Sequence, residues 1–154
     1  MPRSFMLNRR SVLSLGGVAI IASGYAAWSY THPQAAAGSL SLSAQDAHRG
    51  AVDGAFVLVD IRRPDEWALT GIGAGALPLD MRREDFIVAL DKITGSDRSR
   101  PVALICARGV RSARMTERLR QAGFTNLIDV PEGMLGSRAG PGWLAKGLPV
   151  AAAP

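Results

Sequence analysis

Apolar and polar positions along this chain follow two alternating rhythms, short unbroken apolar runs and longer stretches with helical spacing. Phe56-Val57-Leu58-Val59, closing on Asp60, and Val102-Ala103-Leu104-Ile105, closing on Cys106, are continuous enough to predict parallel strands buried on both faces. Asn126-Leu127-Ile128-Asp129-Val130 predicts another strand, and Ala76-Leu77-Pro78-Leu79 a short one, placed at a sheet edge because Pro78 has no amide to donate. Between the runs, Ser43-Ala44-Gln45-Asp46 predicts a capped helix reaching about Arg49, and Pro64-Asp65-Glu66-Trp67 a second helix start. Arg83 to Ile93 sets Phe86, Ile87, Leu90 and Ile93 at helical spacing. From Val110 onward Met115, Leu119 and Ala122 share a face, and Gly123 supplies a left-handed stop with Phe124 packing back. Strands alternating with helices predict an α/β fold, a small parallel β-sheet flanked by helices on both faces. Such sheets bind ligands beyond the carboxyl ends of their strands, where Asp60 and Cys106 both fall.

Residues 1–37 break the rhythm. Arg3, Arg9 and Arg10 precede an uncharged stretch from Ser11 to Tyr30, and Ala35-Ala36-Ala37 offers a small-x-small cleavage site. This segment predicts a signal peptide, or a membrane anchor through residues 11–30; Asn8-Arg9-Arg10-Ser11-Val12-Leu13 resembles a twin-arginine export signal. Either reading places the domain, residues 38–154, in the periplasm or otherwise outside the cytoplasm, with residues 31–43 as a linker. The three arginines also account for much of the net charge of +5. Without them 15 basic side chains face 13 acidic ones, which removes the general electrostatic case for nucleic-acid binding. A monomer is expected.

The chain has one cysteine, so no internal disulfide can form, and an exported thiol must be inert, intermolecular or reactive. Its surroundings favour reactivity. A cysteine between a buried strand and a helix start meets unsatisfied amides and the positive end of the helix dipole, which stabilise a thiolate. Gly109 lets successive amides converge into an anion nest, and Arg108 and Arg111 add positive charge. A core cysteine requires none of these neighbours, and the helix start disfavours burial of the thiol among apolar groups. Arg114, Arg118 and Arg120 read as a solvated helix face. Trp67 and Trp143 read as core or loop-anchoring aromatics, and Asp60 with Arg62 and Glu66 as a structural ion cluster below the loop. His32 and His48 lie in no metal-ligand pattern, so neither metal nor cofactor is expected.

Cys106-x-x-Gly109-x-Arg111 resembles the six-residue active loop of the rhodanese family. Val57-Leu58-Val59-Asp60-Ile61-Arg62 with Pro64-Asp65-Glu66-Trp67, Gly75-Ala76, Gly123-Phe124-x-Asn126-Leu127, Glu132-Gly133-Met134 and Gly142-Trp143-x-x-Lys146-Gly147-Leu148-Pro149-Val150 are similar to its other segments. Thr70-Gly71-Ile72 and Glu132-Gly133 depart from the family's usual Gly-His-Ile and Gly-Gly. The resemblance implies a sulfurtransferase in which Cys106 is the catalytic thiolate and takes a sulfane sulfur from a small anionic donor such as thiosulfate. The amides and side chains of Ala107, Arg108, Gly109, Val110 and Arg111 would bind the substrate, and cyanide or a thiol would accept the sulfur. Two other readings stand beside it. One is a persulfide carrier, redox or partner-binding module without general turnover. The other is a cysteine phosphatase or arsenate reductase, which resembles this arrangement but uses Cys-x5-Arg, one residue longer than the spacing here.

Overall fold

The computed structural model describes residues 40–153, so the leader or anchor predicted for residues 1–37 lies outside the described residues. Twelve elements follow in order: β1 (Leu40–Ser41), α1 (Ala44–Val52), β2 (Val57–Asp60), α2 (Pro64–Thr70), β3 (Ile72–Gly73), β4 (Ala76–Pro78), α3 (Phe86–Thr94), β5 (Val102–Ile105), α4 (Val110–Gln121), β6 (Leu127–Val130), α5 (Gly142–Ala145) and β7 (Val150–Ala151). Strands β1-β6-β5-β2-β4 form one sheet in that order, every pair parallel. The sheet and its helices are the architecture the alternating rhythm predicts, with the Pro78 strand at an edge. No helix of the described residues is long and apolar enough to cross a membrane.

Alternation along β5 divides the core. Val102, Leu104 and Cys106 point to one face with Phe86 and Leu90 of α3 and Met115 and Leu119 of α4. Ala103 and Ile105 point to the other, where Ala44 and Ala47 of α1 meet Trp143 of α5. Each fully buried Leu, Ile or Phe stabilises the fold by roughly 1.5–3 kcal/mol. The Ser43 hydroxyl accepts from the Asp46 amide at 3.1 Å, as the cap at the start of α1 requires. Gly123, at φ +92°, ends α4, and the Phe124 amide reaches back to the Leu119 carbonyl.

The fold departs from the sequence reading in three places. Leu40–Ser41, expected within a linker, pairs with Ile128 and Asp129 as a fifth parallel strand. Ile72–Gly73, within a glycine-punctuated loop, pairs antiparallel with Val150–Ala151. The helix expected from Arg83 begins at Phe86, because Asp80 to Asp85 are spent in turns stapled by Arg82–Asp80 and Arg83–Asp85 ion pairs.

Glu132, the departure from Gly-Gly, is a buried hub. One carboxylate oxygen accepts from the Ala44 amide at 3.3 Å and Lys146 Nζ at 2.9 Å; the other accepts from the Gly142 amide at 3.0 Å. A single negative charge therefore sits at the N-termini of α1 and α5, where both helix dipoles stabilise it.

Candidate active site

Strand β5 ends at the carboxyl edge of the sheet and hands the chain to a loop of four residues, Cys106 to Gly109, before α4 begins. Gly109 is the N-terminal flank of α4 at φ +81°, and a Cβ there would lie 2.2 Å from the Pro131 carbonyl oxygen. Only glycine fits that conformation and approach. The facing loop, Pro131 to Gly136, holds the first one from outside. Met134 N donates to the Cys106 carbonyl at 2.9 Å, and Leu135 N to the Ala107 carbonyl at 2.8 Å. Gly133, at φ +66°, permits this approach, since a Cβ there would meet the Ala107 carbonyl at 2.5 Å.

With those carbonyls turned outward, the amides of Ala107, Arg108, Gly109, Val110 and Arg111 have no acceptor among the described residues. These are the orphan donors of a helix start, joined by the amides of the turn that precedes it. The Ser112 amide completes the series by donating to Cys106 Sγ at 3.4 Å. Cys106 in turn donates its thiol hydrogen to Ser112 Oγ at 3.6 Å, and that hydroxyl donates to the Gly109 carbonyl at 3.0 Å. Ser112 was not among the predicted site residues. Its signal was its place six residues after the cysteine, in the first turn of α4.

Burial corrects one expectation. The helix start disfavours apolar burial of Cys106, whereas its side chain is 1% exposed and belongs to the cluster around Met115 and Leu119. The strand delivers it into the core face, and the loop then closes over the sulfur. Of the other predicted site residues, Ala107 and Gly109 are buried, Arg108 and Val110 exposed, and Arg111 half-buried.

Arg111 does not stand free. Its two terminal nitrogens clasp Glu66 of α2 at 2.7 and 2.6 Å, and Glu66 also accepts from the Arg63 amide. Glu66 therefore belongs to the loop by its side chain; only its carbonyl joins the Asp60–Arg62 cluster in which it was expected. That buried cluster is closed by Arg62 bonds to Asp60, Thr70 Oγ1 and the Gly71 carbonyl. The Arg111 guanidinium holds the Glu66 carboxyl down at about 2, against a smaller opposing effect of burial. Arg111 itself is raised, chiefly by Glu66, with the Cys106 sulfur a smaller contributor.

A carboxyl depressed in the fold stabilises it above the usual carboxylate range, and that stability is lost as pH falls toward 2. Glu66→Gln is accordingly expected to cost about 1–2 kcal/mol at neutral pH, after allowance for partial exposure of the pair. The gap between the urea midpoints of the two proteins should shrink steadily below pH 4.5; a gap unchanged at acid pH would refute the assignment.

Beneath α4, Asp129 of β6 is buried, and its Oδ1 has no partner among the described residues. Burial raises its carboxyl above the usual range, with Ser112 a smaller opposing influence. Among the described residues no three His, Cys, Asp or Glu side chains gather where they could hold a metal ion.

The Rhodanese-like domain family matches residues 43–138. No match is found among curated proteins. Among solved structures, the homodimeric polysulfide-sulfur transferase of Wolinella succinogenes is 27% identical, with 83% of this chain and 89% of that one covered and a TM-score of 0.58. A rhodanese-related protein of Thermoplasma volcanium is 28% identical over 74% of this chain and 99% of its own, at a TM-score of 0.54. A Rhodopseudomonas palustris protein named as a possible tyrosine phosphatase covers 98% of this chain and 99% of its own, with a TM-score of 0.55. At 20% identity that likeness concerns the fold alone. With the matched region spanning strands β2 to β6 and the cysteine loop, this chain belongs to the rhodanese-like domain family.

Proposed function

We propose that this protein is a sulfurtransferase that carries a sulfane sulfur on Cys106, taken from a small anion such as thiosulfate and passed to cyanide or a thiol. The observation that carries the reading is the run of amides from Ala107 to Arg111, without acceptors among the described residues, that follows the only cysteine of the chain and leads to the Ser112 amide on Sγ. Such donors suit an anionic atom carried on Sγ.

In the first half-reaction the Cys106 thiolate attacks the outer sulfur of thiosulfate. The new S–S bond forms as the old one breaks, and sulfite leaves with that electron pair. The outer sulfur of the persulfide keeps a negative charge, and the amides together with the start of the α4 dipole stabilise it. Ser112 Oγ lies 3.6 Å from Sγ, within reach to turn its hydroxyl hydrogen from the Gly109 carbonyl to the thiolate before attack. In the second half-reaction cyanide attacks the outer sulfur, thiocyanate leaves, and the thiolate is regenerated; a thiolate acceptor would leave as its own persulfide. The hydrogen that the Cys106 thiol shares with Ser112 passes to solvent before the first attack, and the thiolate regenerated by each turnover re-enters the cycle without a separate base. Arg108, exposed beside the loop, favours an anionic donor by attraction. The neighbour named as a polysulfide-sulfur transferase supports sulfane sulfur as the transferred group. The sequence of residues 1–37 supports a location outside the cytoplasm.

Incubation with thiosulfate should raise the intact mass of the protein by one sulfur atom, and cyanide should remove it with release of thiocyanate. No gain with thiosulfate or polysulfide, together with hydrolysis of an aryl phosphate, would replace this reading with the phosphatase one.

A further inference from the structure

Arginine pairing is uneven across this molecule. Each arginine from Arg49 to Arg98 faces a carboxylate, as do Arg111 and Arg120. Arg100 and Arg108 donate only to carbonyls, those of Ile93 and Gly136, while Arg114, Arg118 and Arg138 have no partner among the described residues. Of these five, only Arg100 lies at the far end of the sheet, just before β5 begins. Of the other four, Arg108 lies within the cysteine loop, Arg138 shortly after the loop that supports it, and Arg114 and Arg118 along α4, which starts from the cysteine loop. Helical geometry sets Arg111, Arg114 and Arg118 within an arc of about 60°, with Arg118 about 12 Å along the axis from Val110. The nearby acids do not cancel this charge, because Glu66 is engaged by Arg111 and Glu117 by Arg120.

Two apolar side chains complete the rim. Val110 is 57% exposed and Leu135 44% exposed, and Leu135 is fixed beside the loop by the hydrogen bond its amide donates to the Ala107 carbonyl. A donor the size of thiosulfate needs neither apolar contacts nor a stripe this long. A buried sulfur, by contrast, requires its acceptor to be brought down to it. Lipid headgroups and nucleic acids carry no thiol to receive the sulfur. We propose that Arg108, Arg114, Arg118 and Arg138, with Val110 and Leu135, form a docking face for an acidic protein that presents a cysteine to the Cys106 persulfide. This rests on the sulfurtransferase reading and adds the chemistry of its acceptor.

The test uses the full chain loaded with thiosulfate and two synthetic peptides, a cysteine flanked by glutamates and one leucine, and the same peptide with glutamines in place of glutamates. Persulfide discharge is followed by intact mass in the wild type and in a double variant, Arg114→Glu with Arg118→Glu. Steering of this kind predicts that the double variant slows the acidic peptide by about tenfold at low salt, with both proteins equalised at high salt. Discharge by the glutamine peptide and by cyanide should stay within about twofold, since neither depends on that steering. Comparing one peptide across two proteins cancels the effect of its own charges on its thiol. Equal rates for the acidic peptide in both proteins, or equal slowing of both peptides, would overturn the proposal. So would loss of binding to anionic phospholipid vesicles in the double variant without peptide discrimination. Absence of any mass gain before peptide is added would instead refute the sulfurtransferase reading itself.

Discussion

Cys106→Ser is expected to leave a folded protein that gains no mass from thiosulfate and releases no thiocyanate, a loss of about a thousandfold or more, as removal of a covalent nucleophile produces. The result is unambiguous because the chain has no second cysteine to which a sulfur could attach. Serine is smaller than cysteine and its hydroxyl can continue the bond to Ser112, so the substitution should fold. Yet a serine hydroxyl is ionised to a negligible extent near neutrality and has little affinity for sulfane sulfur, even among the same amides. Matching circular dichroism and thermal melts would establish that the fold survives. Retention of a sulfur atom by the serine variant would show binding without covalent chemistry and would remove Cys106 from its assigned role.

Gly109→Ala should be nearly as damaging by a different route. An alanine at φ +81° sits in a region that costs about 1–2 kcal/mol for a residue with a Cβ. The added carbon would also meet the Pro131 carbonyl oxygen at 2.2 Å, an immobile backbone atom in a loop already tied to Cys106 and Ala107. Either the Pro131–Gly136 loop retreats or the cysteine loop tilts, and both displace the loop amides relative to Cys106. The expected outcome is a stability loss of roughly 2–4 kcal/mol by urea unfolding, and sulfur loading slowed by about a hundredfold through misplacement near 1 Å. Loading at the wild-type rate would mean that the amide ring is not what stabilises the charge.

What could be read from the amino-acid order divides by the distance over which residues act. The strand runs at Val57 and Val102, the edge position of Pro78 and the cap at Ser43 were legible because each depends on neighbours a few places away. The Cys106–Arg111 loop was legible for the same reason. Glu66 as a partner of Arg111 was not, because the pair spans 45 positions and depends on α2 folding back over the start of α4. The β1 strand was hidden in a serine-rich stretch, since two residues that pair through backbone groups alone need no distinctive side chains. Burial of Cys106 was misread because the sulfur's place in the alternation of β5 matters more than the polarity of the loop that follows. Glu132 showed only as a departure from Gly-Gly; its work at two helix starts depends on α1 and α5 meeting from opposite ends of the described chain.

The outward-turned carbonyls of Cys106 and Ala107, each already held by an amide of the facing loop, have a consequence for the speed of charge movement. In water, a sulfur atom acquiring negative charge waits for surrounding dipoles to rotate, and that rotation is part of the barrier. Here the dipoles are fixed before the donor arrives, since their reverse ends are fastened to another segment. The loop thus behaves as a solvent shell frozen in the arrangement that the product anion would choose.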